Sequence, residues 1–404
     1  MIENFVFVKG KSDAVSAVND FNHIDILPLL TAVVKACGVT FNGNPSYNGK
    51  NRRGKSLDRC RAEVDLSRLK KNYETIKTKC DDVFAVVKAN AYGHGATEVA
   101  KTLEKSGCKR FAVASVYEAE SLRKSGINGE IAILGLCEDF RLAREIDACP
   151  LVYDENTYRL AKKYDADVFV KINTGMNRLG FSTIGETVSA VKNLRVRGVF
   201  THLSSADGDD VIDRRITETQ IKNFMEAELV VKNEKDVPFF AENSAALIKY
   251  GRFFDGARIG MALYGVNPVS GDKTTFLPVM TLRATIIAIN RVKKGDFIGY
   301  SHGYRAKKDM KIAIISIGYA DGFPRALSNK GKIYYKGNFL KIVGKVSMDS
   351  VAVDAGDADV KISDEVVIFG DEITVADVAN QADTLPYEIL TGVSERVKRI
   401  YKNP

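Results

Sequence analysis

The chain has 404 residues, 45% hydrophobic and 27% charged, a balance that fills a large core without disulfides and excludes a disordered or collagen-like polypeptide. Its six cysteines are scattered with no CxxC pair, which excludes a disulfide scaffold and points to reduced thiols in a cytosol. The net charge of +8 attracts anions, phosphate-bearing cofactors among them. The basic residues are interleaved with acidic ones instead of clustering with aromatics, so nucleic acid is not an expected partner.

The start, Met1-Ile2-Glu3-Asn4-Phe5, lacks a basic segment followed by an apolar one, and charges interrupt every hydrophobic run before a bilayer is spanned. A cytoplasmic protein with no membrane partner is expected. Residues 1–57 read as an N-terminal extension without an assigned role. Phe21 to Cys37 is helical in part, and Phe41 to Lys55, rich in Asn, Gly and basic residues, reads as a flexible linker.

From Asp82 to Gly260, short β-rich runs recur between polar stretches of helical spacing. They are Asp82 to Lys88, Arg110 to Ser115, Glu130 to Leu134, Leu151 to Tyr153, Asp167 to Thr174, Val196 to Leu203, Phe239 to Asn243 and Gly256 to Gly260. Eight such runs predict an α/β fold, a closed parallel (β/α)8 barrel over residues 58–264, with near-continuous apolar strands buried on both faces. In the first gap Val99, Ala100 and Leu103 share a helical face and Gly107 stops the helix. After Tyr264 the texture changes to long strand-like runs separated by Lys-Gly and Asn-Gly-type turns, which predicts a C-terminal β domain over 265–404. Thr374 to Ala379 and Tyr387 to Thr391 are short helices within it, broken at Asp383 and Pro386.

Lys88 closes the first apolar run and opens a glycine-rich stretch. An amine at the mouth of an apolar strand is partly desolvated, which favours the neutral, nucleophilic form that captures an aldehyde. Taken alone, Lys88 reads more simply as an exposed lysine after a strand.

The surrounding string, VVKANAYGHG, closely resembles the signature of the alanine racemases, enzymes that use pyridoxal 5′-phosphate (PLP). Further segments of that family recur in order from Arg61 to Tyr401. The resemblance implies that Lys88 carries the cofactor and Tyr92 binds its phosphate. It further assigns to the phosphate Ser244 in NSA, the backbone N–H groups of Gly260 and Met261, and Tyr387 in LPYEIL. His202 in VFTHLSSAD would pack on the cofactor ring. Arg258 in GARIGMALYG would face the pyridine nitrogen, where a permanent cation disfavours protonation and weakens the ring as an electron sink. In VKINTGMNRLG, Arg178 would contact the cofactor's phenolic oxygen and the substrate, Met176 would bind substrate carboxylate through its backbone, and Lys171 would be carbamylated to hold Arg178. Plainer readings stand beside these: a helix cap at Asn243-Ser244, a structural histidine, a surface ion pair for Arg258, packing for Tyr387, and a Lys171 head group that reaches solvent.

Racemisation needs an acid and a base on opposite faces of a planar carbanion. The resemblance supplies the second as Tyr300, in GDFIGYSHGYRA, from the β domain of a partner subunit, so a homodimer with shared active sites is implied. Tyr304 and Tyr319 would narrow the substrate entrance, and Met348 in GKVSMDSVAVD would touch substrate carboxylate. No metal is expected. The reading is an alanine racemase that interconverts L- and D-alanine by two bases and supplies D-alanine for peptidoglycan synthesis. Ser301-His302-Gly303 after Tyr300, and Ser347 where cysteine is frequent, depart from the family pattern beside the substrate. A broader racemase acting on serine therefore stays open, as do a PLP-dependent decarboxylase and a noncatalytic PLP-binding protein.

Overall fold

A computed structural model of the chain describes residues 58–403; the expectations for residues 1–57 lie outside the described residues. The first strand, β1 (Cys60–Asp65), is followed by eight that alternate with helices: β2 (Val83–Val86), β3 (Arg110–Val113), β4 (Glu130–Ile133), β5 (Ala148–Val152), β6 (Asp167–Lys171), β7 (Arg195–Phe200), β8 (Phe239–Glu242) and β9 (Gly256–Ile259). Strands β2 to β9 pair in parallel and in sequence order, and β9 returns to β2 through Val83–Ala257 and Phe84–Arg258. This is the eight-stranded barrel that the apolar runs predict.

The βα turns follow local chemistry. Ser115, Asp139, Asp154 and Thr183 each accept a backbone N–H at the start of the next helix, a cap that contributes about 1 kcal/mol apiece. The helix Ala96–Lys105 buries Val99, Ala100 and Leu103 and stops before Gly107, which has φ +89°.

The barrel interior is filled. Phe84, Phe169, Phe200 and Phe240 meet at its centre, with Phe169 stacked on Phe200 at 4.3 Å and Phe84 edge-on to the other three at 5.2–5.5 Å. Below this layer the Arg110 guanidinium lies 5.2 Å from both the Phe84 and Phe240 rings and pairs with Asp82 and Glu130. Above it Arg258 lies 4.8 Å over Phe200. The aromatic plug closes the lower half of the barrel to water and leaves the upper mouth for a site.

The remaining strands are β10 (Met280–Val292), β11 (Phe297–Ile298), β12 (Tyr304–Arg305), β13 (Met310–Ile315), β14 (Lys332–Tyr335), β15 (Asn338–Ile342), β16 (Val351–Asp354), β17 (Glu365–Phe369) and β18 (Lys398–Lys402). β11 and β12 pair only with each other as a two-stranded ribbon, and the others join β1 in one mainly antiparallel sheet in the order β13-β16-β15-β14-β17-β10-β1-β18, in which β13 also pairs with β10. The β14–β15 hairpin turns on Lys336-Gly337, both at positive φ, as a two-residue turn of matched twist requires. Helices Val375–Ala382 and Pro386–Gly392 follow; Asp383 ends the first in the left-handed region and Pro386 begins the second.

One boundary is corrected. Residues 58–264 are expected to form the barrel, but β1 pairs antiparallel with β10 and parallel with β18. The described residues therefore begin in the second sheet and cross to the barrel through the helix Leu66–Lys77. Glu63 fastens this strand by accepting from Arg61, Arg283 and Lys402. Among the described residues no helix is long and apolar enough to cross a membrane, and Cys60, Cys80, Cys108, Cys137 and Cys149 are free and buried.

Candidate active site

A cavity of about 620 Å³ opens at the C-terminal ends of the barrel strands, where loops are free to vary without disturbing the barrel. Its wall includes Lys88, Tyr92, Lys171, Met176, Arg178 and His202, together with Ser244, Arg258, Gly260, Met261 and Tyr387. Every predicted barrel residue is thus brought to one place, joined by Tyr387 from the C-terminal helix Pro386–Gly392.

Lys88 begins an unusual segment. Ala89, Asn90, Ala91 and Tyr92 all have φ between +51° and +53°, a single turn of left-handed helix. For L-residues this conformation costs roughly 1–2 kcal/mol each, so surrounding contacts must impose it. The Glu118 carboxylate accepts the Ala89 N–H at 2.8 Å and the Ala114 N–H at 2.6 Å. The Asn90 side chain accepts the Ala96 N–H at 2.8 Å, and Arg399 from β18 donates to the Gly93 carbonyl at 3.0 Å. The turn presents Lys88 and Tyr92 on the same side, into the cavity. Burial lowers the Lys88 amine below its ordinary value, nearby Arg178 adds to this, and Glu118 opposes it.

Tyr92 is buried and its hydroxyl approaches Gly260 at the end of β9. Beside it the Ser244 hydroxyl faces the N–H groups of Gly260 at 3.3 Å and Ala262 at 3.5 Å. The helix cap here is Asn243, which accepts the Ala246 N–H; Ser244 is therefore left to the cavity. Hydroxyls and backbone N–H groups at the head of two loops form an anion cradle.

Arg258 is buried and makes no ion pair among the described residues. It donates to the carbonyls of Phe240, Thr201 and Ala241, and its Nη2 lies 3.4 Å from His202 Nδ1. The surface-salt-bridge reading is excluded. Burial lowers its pKa to about 10 against the pull of Glu242, which leaves it a cation at neutral pH. Burial, then Arg258, Lys171, Arg178 and Lys88, hold His202 well below its ordinary pKa, so the imidazole is neutral.

Lys171 ends β6, is only 7% exposed and faces the cavity, so its head group does not reach out to the protein surface. Burial and the cations Arg258, Arg178 and Lys88 lower it to about 8. Met176 and Arg178 follow on a loop shaped by Asn173, whose side chain accepts the N–H groups of Gly175 and Asn177. Asp207 is the one carboxylate among the described residues lining the cavity. A cavity so rich in cations suits an occupant with several negative charges.

Tyr300, Tyr319 and Met348 do not line this cavity. They stand on the β-domain surface, Tyr300 at 70% exposure. The Tyr319 and Ala320 N–H groups donate to the Ser347 and Met348 carbonyls, which sets Tyr319 beside Met348. Among the described residues no cluster of three or more His, Cys, Asp or Glu is placed to hold a metal ion. Glu118 is a site-building residue that the sequence does not reveal, because its targets are backbone N–H groups, which leave no pattern in side-chain order; the cap at Asn243 is the one that the sequence suggests.

Comparison with known families decides the affiliation. The family model "Alanine racemase, N-terminal domain" matches residues 64–268, and "Alanine racemase, C-terminal domain" matches 279–401. The chain belongs to the alanine racemase family. An alanine racemase of Halothermothrix orenii is 37% identical over 85% of this chain and 96% of its own length. The solved alanine racemase of Clostridium difficile 630 superposes with a TM-score of 0.80 at 33% identity, covering 86% of this chain and 97% of that one. The Bartonella henselae alanine racemase, described with covalently bound pyridoxal phosphate, gives 0.78 at 29% identity over 85% and 100% of the two chains. Within the alanine racemase family, then, the cavity at the barrel mouth is where this chain gathers its reactive side chains.

Proposed function

We propose that this chain racemises alanine with PLP held in the barrel-mouth cavity, Lys88 acting from one face of the substrate and Tyr300 of a second copy from the other. The carrying observation is the presence, in one cavity, of a partly desolvated Lys88 amine and a buried Arg258 cation. The cavity's chemistry fits the cofactor. Tyr92, Ser244 and the loop at Gly260–Met261 offer donors for a phosphate, Arg178 a cation for a phenolic oxygen, and Arg258 a cation where a pyridine nitrogen needs no proton. When bound, PLP supplies a sink for the electrons left on the substrate Cα as its proton departs.

The protein's part is positional. Lys88 would hold the cofactor, and its amine is placed to take or return the Cα proton on its own face. Tyr300 does the same on the opposite face, which reverses the hand. Its exposure in a single chain is what a residue delivered to another subunit requires, and Met348 and Tyr319 share its surface. The neutral His202 can stack on a ring without adding charge. Lys171, if converted by carbon dioxide to a carbamate, would become the anion that holds Arg178. The D-alanine formed would feed peptidoglycan synthesis.

The test is direct. Purified protein with PLP and L-alanine should yield D-alanine by chirality-resolved analysis, and with a smaller kcat/KM for serine than for alanine. Tyr300→Phe should cut racemisation by about 100-fold or more, the scale of one general acid or base. Failure of the wild type to form D-alanine sinks the activity; full activity in Tyr300→Phe sinks the two-base assignment.

A further inference from the structure

His94 lies two residues beyond Tyr92 and has no solvent exposure. Its Nδ1 is 3.0 Å from the Ala91 carbonyl oxygen and 3.0 Å from that of Tyr92. Two acceptors around one ring nitrogen assign the proton to Nδ1, so the ring donates to both carbonyls. Nε2 meets no polar partner among the described residues. Burial also lowers the ring's pKa to about 4, and the neutral Nδ1–H tautomer persists at neutral pH.

The His94 ring stacks on Tyr264 with centroids 4.5 Å apart, and Tyr264 packs in turn against Tyr92 at 4.9 Å. The Tyr264 hydroxyl donates to the Val86 carbonyl at 2.8 Å. Val86 ends β2, two residues before Lys88. The stacked rings therefore grip the chain on both sides of the left-handed turn: Tyr264 where it leaves the strand, His94 where it ends. Neither ring lines the cavity, so neither is a catalytic residue.

We propose that His94 and Tyr264 are a positioning pair that imposes the left-handed turn and thereby sets the direction of the Lys88 amine and the Tyr92 hydroxyl. The consequence for PLP rests on the function proposed above, whereas the consequence for the turn does not. Core packing alone would tolerate any apolar side chain of similar bulk at position 94. Pinning two carbonyls needs a donor there. The amide nitrogen of an asparagine falls at the same bond separation as Nδ1, and a leucine methyl fills that place without donating.

The experiment compares wild type, His94→Asn, His94→Leu and Tyr264→Phe as full chains. Amide hydrogen exchange of residues 89–95 is followed without added PLP, and PLP affinity by absorbance titration. His94→Leu and Tyr264→Phe should each speed exchange in the turn and weaken PLP by about tenfold or more, the scale of one lost buried hydrogen bond. His94→Asn should stay within about threefold of wild type on both. Equal behaviour of the Leu and Asn variants overturns the proposal. If His94→Leu does not fold, wild-type exchange in Tyr264→Phe overturns it alone. A wild type that binds no PLP refutes the cofactor reading, and the exchange data still decide whether the pair holds the turn.

Discussion

The Tyr92 hydroxyl stands so close to Gly260 that a Cβ on the glycine would be 2.6 Å from its oxygen. Contacts that short do not occur, and neither partner moves freely: Tyr92 is wedged between Tyr264 and Tyr387, and Gly260 follows a barrel strand. Gly260→Ala should therefore turn Tyr92 out of the proposed phosphate cradle. The expected result is PLP binding weaker by about tenfold or more in an absorbance titration, with the fold intact by circular dichroism. Wild-type affinity in this variant would show that Tyr92 does not contribute to the cradle.

Arg258 is held chiefly by backbone, with donors on the carbonyls of Phe240, Thr201 and Ala241. Arg258→Met takes a donor from each of these acceptors; Phe240 keeps the Thr201 N–H, and each carbonyl left unsatisfied costs about 1–3 kcal/mol. Arg258→Lys retains a charge but cannot span three carbonyls. Urea denaturation should rank wild type above Lys above Met, with the Met variant losing about 3 kcal/mol or more. A loss under about 1 kcal/mol, the scale of an exposed ion pair, would contradict the burial.

Which parts were readable from residue order follows from how local their causes are. Barrel strands such as Val83–Val86, and the Ile131-Ala132-Ile133 part of Glu130–Ile133, announce themselves because burial on both faces writes an unbroken apolar run. β1 does not announce its sheet: CRAEVD would suit either, and its partners Ala284 and Lys398 are far along the chain. The left-handed turn is equally hidden. Ala89 and Ala91 favour right-handed helix, and the bonds that override this come from Glu118, Arg399 and the neighbourhood of His94. At the site, the barrel rule places Lys88, His202 and Arg258 at strand ends, whereas Lys171 reads as lying inside its run and in fact ends β6; the roles given to all four came from family resemblance.

Lys171 offers a test whose sign reports its chemical state. An unmodified amine lowered from 10.5 to about 8 binds fewer protons in the fold than in the unfolded chain between those values. Stability should then climb as pH rises from about 8 to 10.5, and near pH 7 the buried ammonium costs about 3 kcal/mol. Lys171→Met should accordingly stabilise bicarbonate-free protein at pH 7, with the gain vanishing above about pH 10.5. A carbamate at this position would be an anion among Arg258, Arg178 and Lys88, and its removal would destabilise instead. Denaturation with and without bicarbonate, with intact mass measured alongside, separates the two; a variant indistinguishable from wild type in both would mean the head group is solvated.

Glu63 decides how firmly β1 is bound into the second sheet. Burial pushes its carboxyl up, but hydrogen bonds from Lys402, Arg283 and Arg61 outweigh that and leave it at about 2. Its folded value is below the unfolded 4.5, so the stabilisation is complete above about pH 4.5 and is lost as pH falls toward 2. The shift corresponds to about 3 kcal/mol. Glu63→Gln leaves three cations converging on a neutral amide at the β10–β1–β18 junction, and should cost about 3 kcal/mol at pH 7. At about pH 2.5 wild type has given up most of the same energy, so the two proteins should converge there. Urea denaturation at both pH values measures the difference, and a gap that stays constant with pH would mean that Glu63 acts through packing and not through its charge.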